Sequence, residues 1–269
     1  MHVITFATIK GGVGKTASAT HVAFALADAG SRVLFVDMDP QGNGSRLLGV
    51  DATPATALAG DLLKKSPARL SDVVVHQYER LWVAPAHVRM GREEPELYQW
   101  PYAVFGLEKA LMHDGAGRFD VVVVDTGPHL SCYTRSGLHA ANLVMVPIPA
   151  HAGAYDGSLY VADEVRAVAE AKGAPIDVCG FISSIDLRNR VQNRAWEKLS
   201  GHVPFPVAKT KITLRNAVNK AGLEYQLIFE TGEHNSEAAN DYRALAAEVQ
   251  GLVRGNTARP VEVKEVAHG

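Results

Sequence analysis

The chain of 269 residues is poor in cysteine. Its two, Cys132 and Cys179, are too far apart to make a disulfide framework or a metal motif, which points to an intracellular, reducing compartment. No apolar run approaches the ~18–20 residues that span a bilayer. The start, Met1-His2-Val3-Ile4-Thr5-Phe6, has no basic region and no cleavage site, so it does not read as a signal peptide. Internal repeats and low-complexity linkers are absent. The eleven histidines form no H-E-x-x-H or clustered ligand set. What remains is 47% hydrophobic and 21% charged, the balance of a soluble globular chain.

A net charge of −2 conceals an asymmetry. Between Arg188 and Lys220 there are eight basic residues and one acid, Glu197, while the rest of the chain is acidic. That local excess suggests an anionic partner.

Short apolar runs alternate with helical patterns. Strands are expected at Val3–Thr8, Val33–Asp37, Phe119–Asp125, Leu143–Ile148, Val178–Ser183 and Val203–Val207. The four valines at 121–124 read as a strand buried on both faces, as in a parallel sheet. Helices are expected at Thr16–Ala29, Tyr102–Met112, Ser131–Ala140, Gly157–Ala171, Asn189–Leu199 and Ser236–Val253. The alternation implies an α/β, doubly wound, mostly parallel sheet with helices on both faces. Asp51–Glu96 shows little periodicity, apart from a possible strand at Leu81–Val83, and reads as an excursion from the core. Residues 1–254 are expected to form a single domain and 255–269 a frayed tail.

The strongest motif is Lys10-Gly11-Gly12-Val13-Gly14-Lys15-Thr16, after one strand and opening a helix. Backbone N–H groups in such a turn cradle phosphate oxygens, and the helix start adds a favourable field. Lys15 is expected to reach the β- and γ-phosphates, and the Thr16 hydroxyl to ligate Mg²⁺. The ordinary phosphate loop has glycine where this chain has Ile9, and here a second lysine, Lys10, precedes the glycines. Two further segments belong with the loop. Asp37-Met38-Asp39-Pro40 follows the second strand, and Asp125-Thr126-Gly127-Pro128 follows the valine strand. An aspartate ending an apolar strand is the arrangement that holds a water ligand of Mg²⁺.

The K-G-G-x-G-K-T form resembles the deviant Walker A loop of the ParA/MinD superfamily of dimerising P-loop ATPases, and the resemblance runs from about Ile4 to Val253. It implies ATP and Mg²⁺ as cofactors, held by Lys10, Gly11, Gly12, Val13, Gly14, Lys15, Thr16 and Ala17, with Thr16, Asp37 and Asp125 around the metal. It implies that Lys10 acts across an ATP-dependent homodimer and that Asp39 orients the attacking water. The family usually shows two prolines after the Walker B aspartate; this chain has Gly127 before Pro128. No arginine finger is apparent, so slow basal hydrolysis is expected.

Three branches of the superfamily can be weighed against the chain. The ParA branch binds DNA without sequence preference, and Ile185-Asp186-Leu187-Arg188 and Ile212-Thr213-Leu214-Arg215-Asn216-Ala217 resemble its DNA-contacting segments. Thr213 stands where the family keeps an arginine. Arg188, Arg190, Lys209, Lys211 and Arg215 are therefore the candidate DNA contacts. A MinD-like member ends in a basic amphipathic helix, which the Pro260-containing tail does not resemble, so no membrane partner is expected. An iron–sulfur carrier needs two cysteine ligands per subunit, and only Cys132 falls near such a position. The reading is a partition-type ATPase, cytoplasmic and nucleoid-associated when ATP-bound, with a ParB-like or other adaptor as partner. A non-DNA positioning or assembly ATPase is the alternative.

Overall fold

The computed structural model describes residues 1–149, 154–186, 189, 193–194, 202–213 and 215–255. Eight strands form one sheet: β1 (His2–Phe6), β2 (Val33–Met38), β3 (Val75–Tyr78), β4 (Leu81–Ala84), β5 (Val121–Thr126), β6 (Leu143–Pro149), β7 (Asp177–Ile185) and β8 (Val207–Thr213). Their order is β3-β4-β2-β5-β1-β6-β7-β8. Every neighbouring pair is parallel except β3 with β4. The chain leaves β1 toward β2 on one side and later places β6 on the other, so the order reverses at β1. In open parallel sheets that crevice, beyond the carboxyl ends of the strands, is where ligands bind.

Strand alternation explains the layers. Phe35, Val121 and Val123 belong to one core cluster, and Leu34, Val36, Val122 and Val124 to another on the opposite face. The first cluster is covered by α1 (Lys15–Asp28) and by the carboxyl-terminal helix Glu237–Val253. α2 (Asn43–Leu47) packs beside α1 on this same face, with Leu47 and Leu48 against its cluster. On the opposite face lie α3 (Leu70–Val73), α4 (Arg89–Tyr98), α5 (Gly106–Ala110) and α6 (Cys132–Ala140). α7 (Ala154–Lys172) covers β6 and β7. Then α8 (Asn216–Leu223) precedes the last helix, α9 (Glu237–Val253). Ser131 and Ser236 cap α6 and α9 by accepting the Thr134 and Ala239 N–H groups. Among the described residues no helix is long and apolar enough to cross a membrane.

Three expectations are corrected. The last strand is Val207–Thr213, not Val203–Val207. Pro204 and Pro206 flank Phe205 and lack ladder donors, so regular pairing begins only beyond them. Tyr102–Met112 is not one helix but a 3-10 turn, Ala103–Phe105, then α5, then a π-helical turn, Leu111–Gly115. Asp51–Glu96 is no excursion: β4 pairs with β2, and Leu58, Leu62, Leu63, Leu70, Val73 and Met90 are buried in the core. The 3-10 turn Ala59–Leu63 and α3 are too short to show a period, and α4 carries Pro95 inside it. Most of the helix expected at Asn189–Leu199, all but Asn189, Asn193 and Arg194, and the tail beyond Gly255 lie outside the described residues.

One histidine ties α1 to the carboxyl-terminal layer. His21 is 2% exposed. Its Nε2 accepts the Ile228 N–H at 3.0 Å, which leaves the proton on Nδ1, 2.6 Å from the Ala17 carbonyl. The ring stacks on Tyr242, centroids 4.3 Å apart. Burial lowers its pKa to about 4, the Ala17 bond opposing. The unfolded chain therefore takes up the proton first. His21's contribution is complete above the ordinary value of 6.5 and is lost as pH falls toward 4. Between about pH 7 and about pH 4.5, urea unfolding should show the protein losing about 2–3 kcal/mol more stability than His21→Gln. An equal pH dependence of the two chains would refute the assignment.

Candidate nucleotide and magnesium site

α1 begins differently from the capped helices. Its N-cap is Gly14, with no side-chain hydrogen bond and no acidic residue in the first turn. The first-turn N–H groups are thus left without side-chain acceptors, the condition for anion binding at a helix start. Gly12 and Gly14 have φ of 72° and 76°, a left-handed backbone that glycine adopts without strain. Gly11 and Gly12 are exposed, Lys10, Thr16 and Ala17 half-buried, and Val13 buried. The Lys10 N–H donates to Thr8 Oγ1 at 3.3 Å. Ala17 lies in the first turn, where its carbonyl is engaged by His21 and Thr20.

Beneath this loop the register brings the carboxylates together. Asp37 on β2 is the register partner of Asp125 on β5. Each lies two residues beyond a residue facing α1, so both side chains rise on that face. Both are fully buried. Lys15, only 7% exposed, places Nζ 2.9 Å from Asp125 Oδ1. Asp125 Oδ2 has no hydrogen-bond partner. Asp37 accepts the Ser45 N–H and hydroxyl on Oδ2, each at 2.7 Å, and the Asp39 N–H on Oδ1 at 3.1 Å. Burial, with the charge of Asp125 beside it, raises the Asp37 carboxyl to about 7. Burial also raises that of Asp125, with the Lys15 ammonium opposing.

Ser45 was not legible in the sequence. It sits at the start of α2, where the approach is so close that a Cβ on Gly44 would lie 2.8 Å from the Phe35 ring and 3.1 Å from Asp37 Oδ2. Ser45 Oγ also accepts the Ala86 N–H at 2.9 Å, so one hydroxyl links β2, α2 and the segment after β4. No spacing rule marks such a residue. Asp39 is buried, and its Oδ1 accepts the Gln41 N–H at 3.0 Å. A Cβ on Gly127 would lie 3.7 Å from that same oxygen, so the segments after β2 and β5 meet there.

The donor set fits a hard divalent cation, which takes oxygen ligands. Asp125 Oδ2 is the open carboxylate oxygen, and the Thr16 hydroxyl lies on the first turn above it. Asp37 is largely spent on Ser45, which suits a supporting carboxylate better than a direct ligand. Burial pushes the Cys132 thiol up to about 11 and that of Cys179 up to about 12. Among the described residues no group of three or more His, Cys, Asp or Glu could hold a metal ion.

A family profile described as an AAA domain matches residues 1–177. The chain is 32% identical over 254 residues to the chromosome-partitioning ATPase Soj of Thermus thermophilus, covering 93% of this chain and 96% of that protein. It is 30% identical over 204 residues to the chromosome partitioning protein ParA of Caulobacter vibrioides, covering 75% and 76%. The chain belongs to the ParA/Soj family of partitioning ATPases. Its fold is also similar to that of cobyrinic acid a,c-diamide synthase from Mycobacterium smegmatis, solved with bound ADP and magnesium. That match has a TM-score of 0.81 at 24% identity and covers 98% of this chain and 100% of the other.

The candidate DNA contacts are not gathered in the same way. Arg188 and Arg190 lie outside the described residues. Lys209 and Lys211 are exposed on β8, the last strand of the sheet, where lysines also discourage strand-to-strand association. Arg215 pairs with Glu237 and donates from Nε to Thr213 Oγ1 at 3.2 Å. Thr213 itself is buried, its hydroxyl donating to Asp241.

Replacing Lys15 with methionine leaves Asp125 buried without its cation. In nucleotide-free buffer at neutral pH, Lys15→Met should unfold with about 3–5 kcal/mol less stability in urea. That deficit should shrink near pH 5, because a carboxyl whose folded pKa is raised takes up its proton before the unfolded one does. A deficit independent of pH would mean the pair does not carry the effect.

Proposed function

We propose that the protein is a Mg²⁺-dependent ATPase that dimerises around ATP, binds DNA without sequence preference, and releases it when an adaptor stimulates hydrolysis. The observation that carries this reading is Lys15 held at the uncapped start of α1, 2.9 Å from the buried Asp125 at the sheet's switch point. On this reading residues 1–254 act as one ATPase domain with a tail at 255–269. The protein works in the cytoplasm, on the nucleoid when ATP is bound, with no membrane partner.

Triphosphate entering the loop gives Lys15 a second anionic partner, and the ammonium moves its charge from Asp125 to the β- and γ-phosphates. Asp125 would then be free to hold Mg²⁺ through a water. The metal, when bound, neutralises charge on the phosphate oxygens. Asp39 orients a water for attack on the γ-phosphorus; the new P–O bond forms as the bond to ADP breaks, and the water's proton passes to solvent or phosphate. Lys10 of the partner subunit adds charge at the same oxygens, so assembly and a competent site arise together.

Lys10→Ala should keep most nucleotide affinity, measured by a fluorescent ATP analogue, yet lose ATP-dependent dimerisation in gel filtration. Asp39→Ala should bind ATP and form a long-lived dimer with turnover reduced about a hundredfold or more. Turnover within a factor of two of wild type in either variant would remove that residue from the mechanism.

The DNA arm rests on the basic excess between residues 188 and 220. A dimer doubles those charges, so ATP converts weak contacts into binding through multivalency. The Lys209→Glu, Lys211→Glu double variant should weaken binding to all duplex sequences alike. It should also flatten the log–log salt dependence by roughly two units while ATP-dependent dimerisation survives. Unchanged DNA affinity would favour the alternative, a positioning ATPase whose basic segment serves a protein. The pairing of Arg215 with Glu237 supports that second reading.

A further inference from the structure

We propose that a second cleft, on the face of α5 and remote from the nucleotide loop, docks an acidic peptide segment of a partner protein. The cleft has a volume of about 370 Å³. One wall runs from Leu62 to Arg69 and the other from Trp100 to Asp114. The π-helical turn Leu111–Gly115 closes one end, through His113 and Asp114. Next to it, a Cβ on Gly115 would lie 3.7 Å from Met1 Sδ, so this end sits where β1 begins. The nucleotide loop leaves the opposite end of β1. The two sites therefore open at opposite ends of the sheet and do not share residues.

The lining has two parts. Leu62, Pro67 and Ala110 give an apolar floor. Lys65 and Arg69 from one wall and Lys109 from the other supply cations, all three exposed. Two of them lean on aromatic rings: Lys65 Nζ is 6.0 Å from the Trp100 centroid, and Lys109 Nζ is 5.6 Å from that of Tyr102. The rings themselves meet edge to face, 5.1 Å apart. The acids nearby are already engaged. Asp61 and Glu93 hold Lys64 at 2.7 and 3.0 Å, and Asp114 Oδ2 accepts the Leu70 N–H at 3.2 Å. The rim thus presents net positive charge on both sides of an apolar floor.

That arrangement selects its occupant. An apolar side chain fills the floor, and carboxylates on either side of it along an extended segment reach cations on both walls. A lone phosphate would meet one wall and leave the floor empty. Tyr102, at 55% exposure, adds apolar surface to the second wall of the cleft. π-helical turns recur at functional sites, and this one interrupts what the sequence would have continued as a helix.

The test uses a fluorescein-labelled peptide alternating glutamate with leucine and phenylalanine, and the same peptide with glutamine for every glutamate. Anisotropy is read without nucleotide, so the outcome stands apart from the ATPase reading. The acidic peptide should bind on the order of tenfold more tightly than the glutamine peptide, with the preference falling at higher salt. The Lys65→Glu, Arg69→Glu, Lys109→Glu triple variant should lose about tenfold or more in affinity for the acidic peptide, and the milder triple glutamine variant several-fold. Both variants should keep the wild-type urea midpoint, because the side chains are exposed. Equal affinity for the two peptides, or an unchanged affinity in the triple glutamate variant, would overturn the proposal. So would an oligothymidylate that binds the cleft when the acidic peptide does not. So would sedimentation showing that the cations hold two copies of this chain together.

Discussion

The buried ammonium of Lys15 is the constraint on which the site depends. Parallel pairing of β2 with β5 sets Asp37 beside Asp125, both without solvent. Two carboxylates so placed disfavour each other's charge, and burial disfavours both. Lys15 offsets one of them. Ser45 and the Asp39 N–H stabilise the other through hydrogen bonds. The region is therefore an electrostatic balance around the Lys15 ammonium, which is why its geometry is sensitive to anything that competes for that cation.

Such a balance needs a rigid frame, and the layers supply it. α1 is held from below by the sheet and from the side by α9, through His21 and Tyr242. The histidine is kept neutral by burial and by the Ile228 N–H, so it acts as a fixed spacer between a backbone donor and a backbone acceptor. The loop can then be open at its tip, where Gly11 and Gly12 are exposed, while Lys15, three residues later, is locked. The segments after β2 and β5 meet at Asp39 and Gly127, so a change at one carboxylate is felt by the residue expected to position water.

The opposite face has a different character. There the chain between β2 and β5 passes through short turns and helices rather than one crossover helix. It buries enough leucine to join the core, yet leaves a cleft with a cationic rim. Nucleotide chemistry and the cationic cleft thus occupy opposite ends of one sheet.

The loop, the strand-end aspartates and the order of the main strands and helices could be read directly from the sequence. They rest on local rules: glycines where the backbone must turn left-handed, apolar periods of two or 3.6, and serines that cap α6 and α9. Family membership was legible from Lys10 and Lys15 for the same reason, since a phosphate cradle is made by consecutive residues. Tertiary structure alone decided the rest. Ser45 reaches Asp37 only because α2 packs against β2. His21 gains a role only when Ile228, over two hundred residues away, comes to its ring. The start of β8 was shifted by two prolines whose effect depends on a neighbouring strand. The cleft exists because residues 62–69 and 100–114, which have no shared pattern, fold against each other. Local chemistry is written along the chain, whereas contacts between distant segments depend on which surfaces the core leaves adjacent.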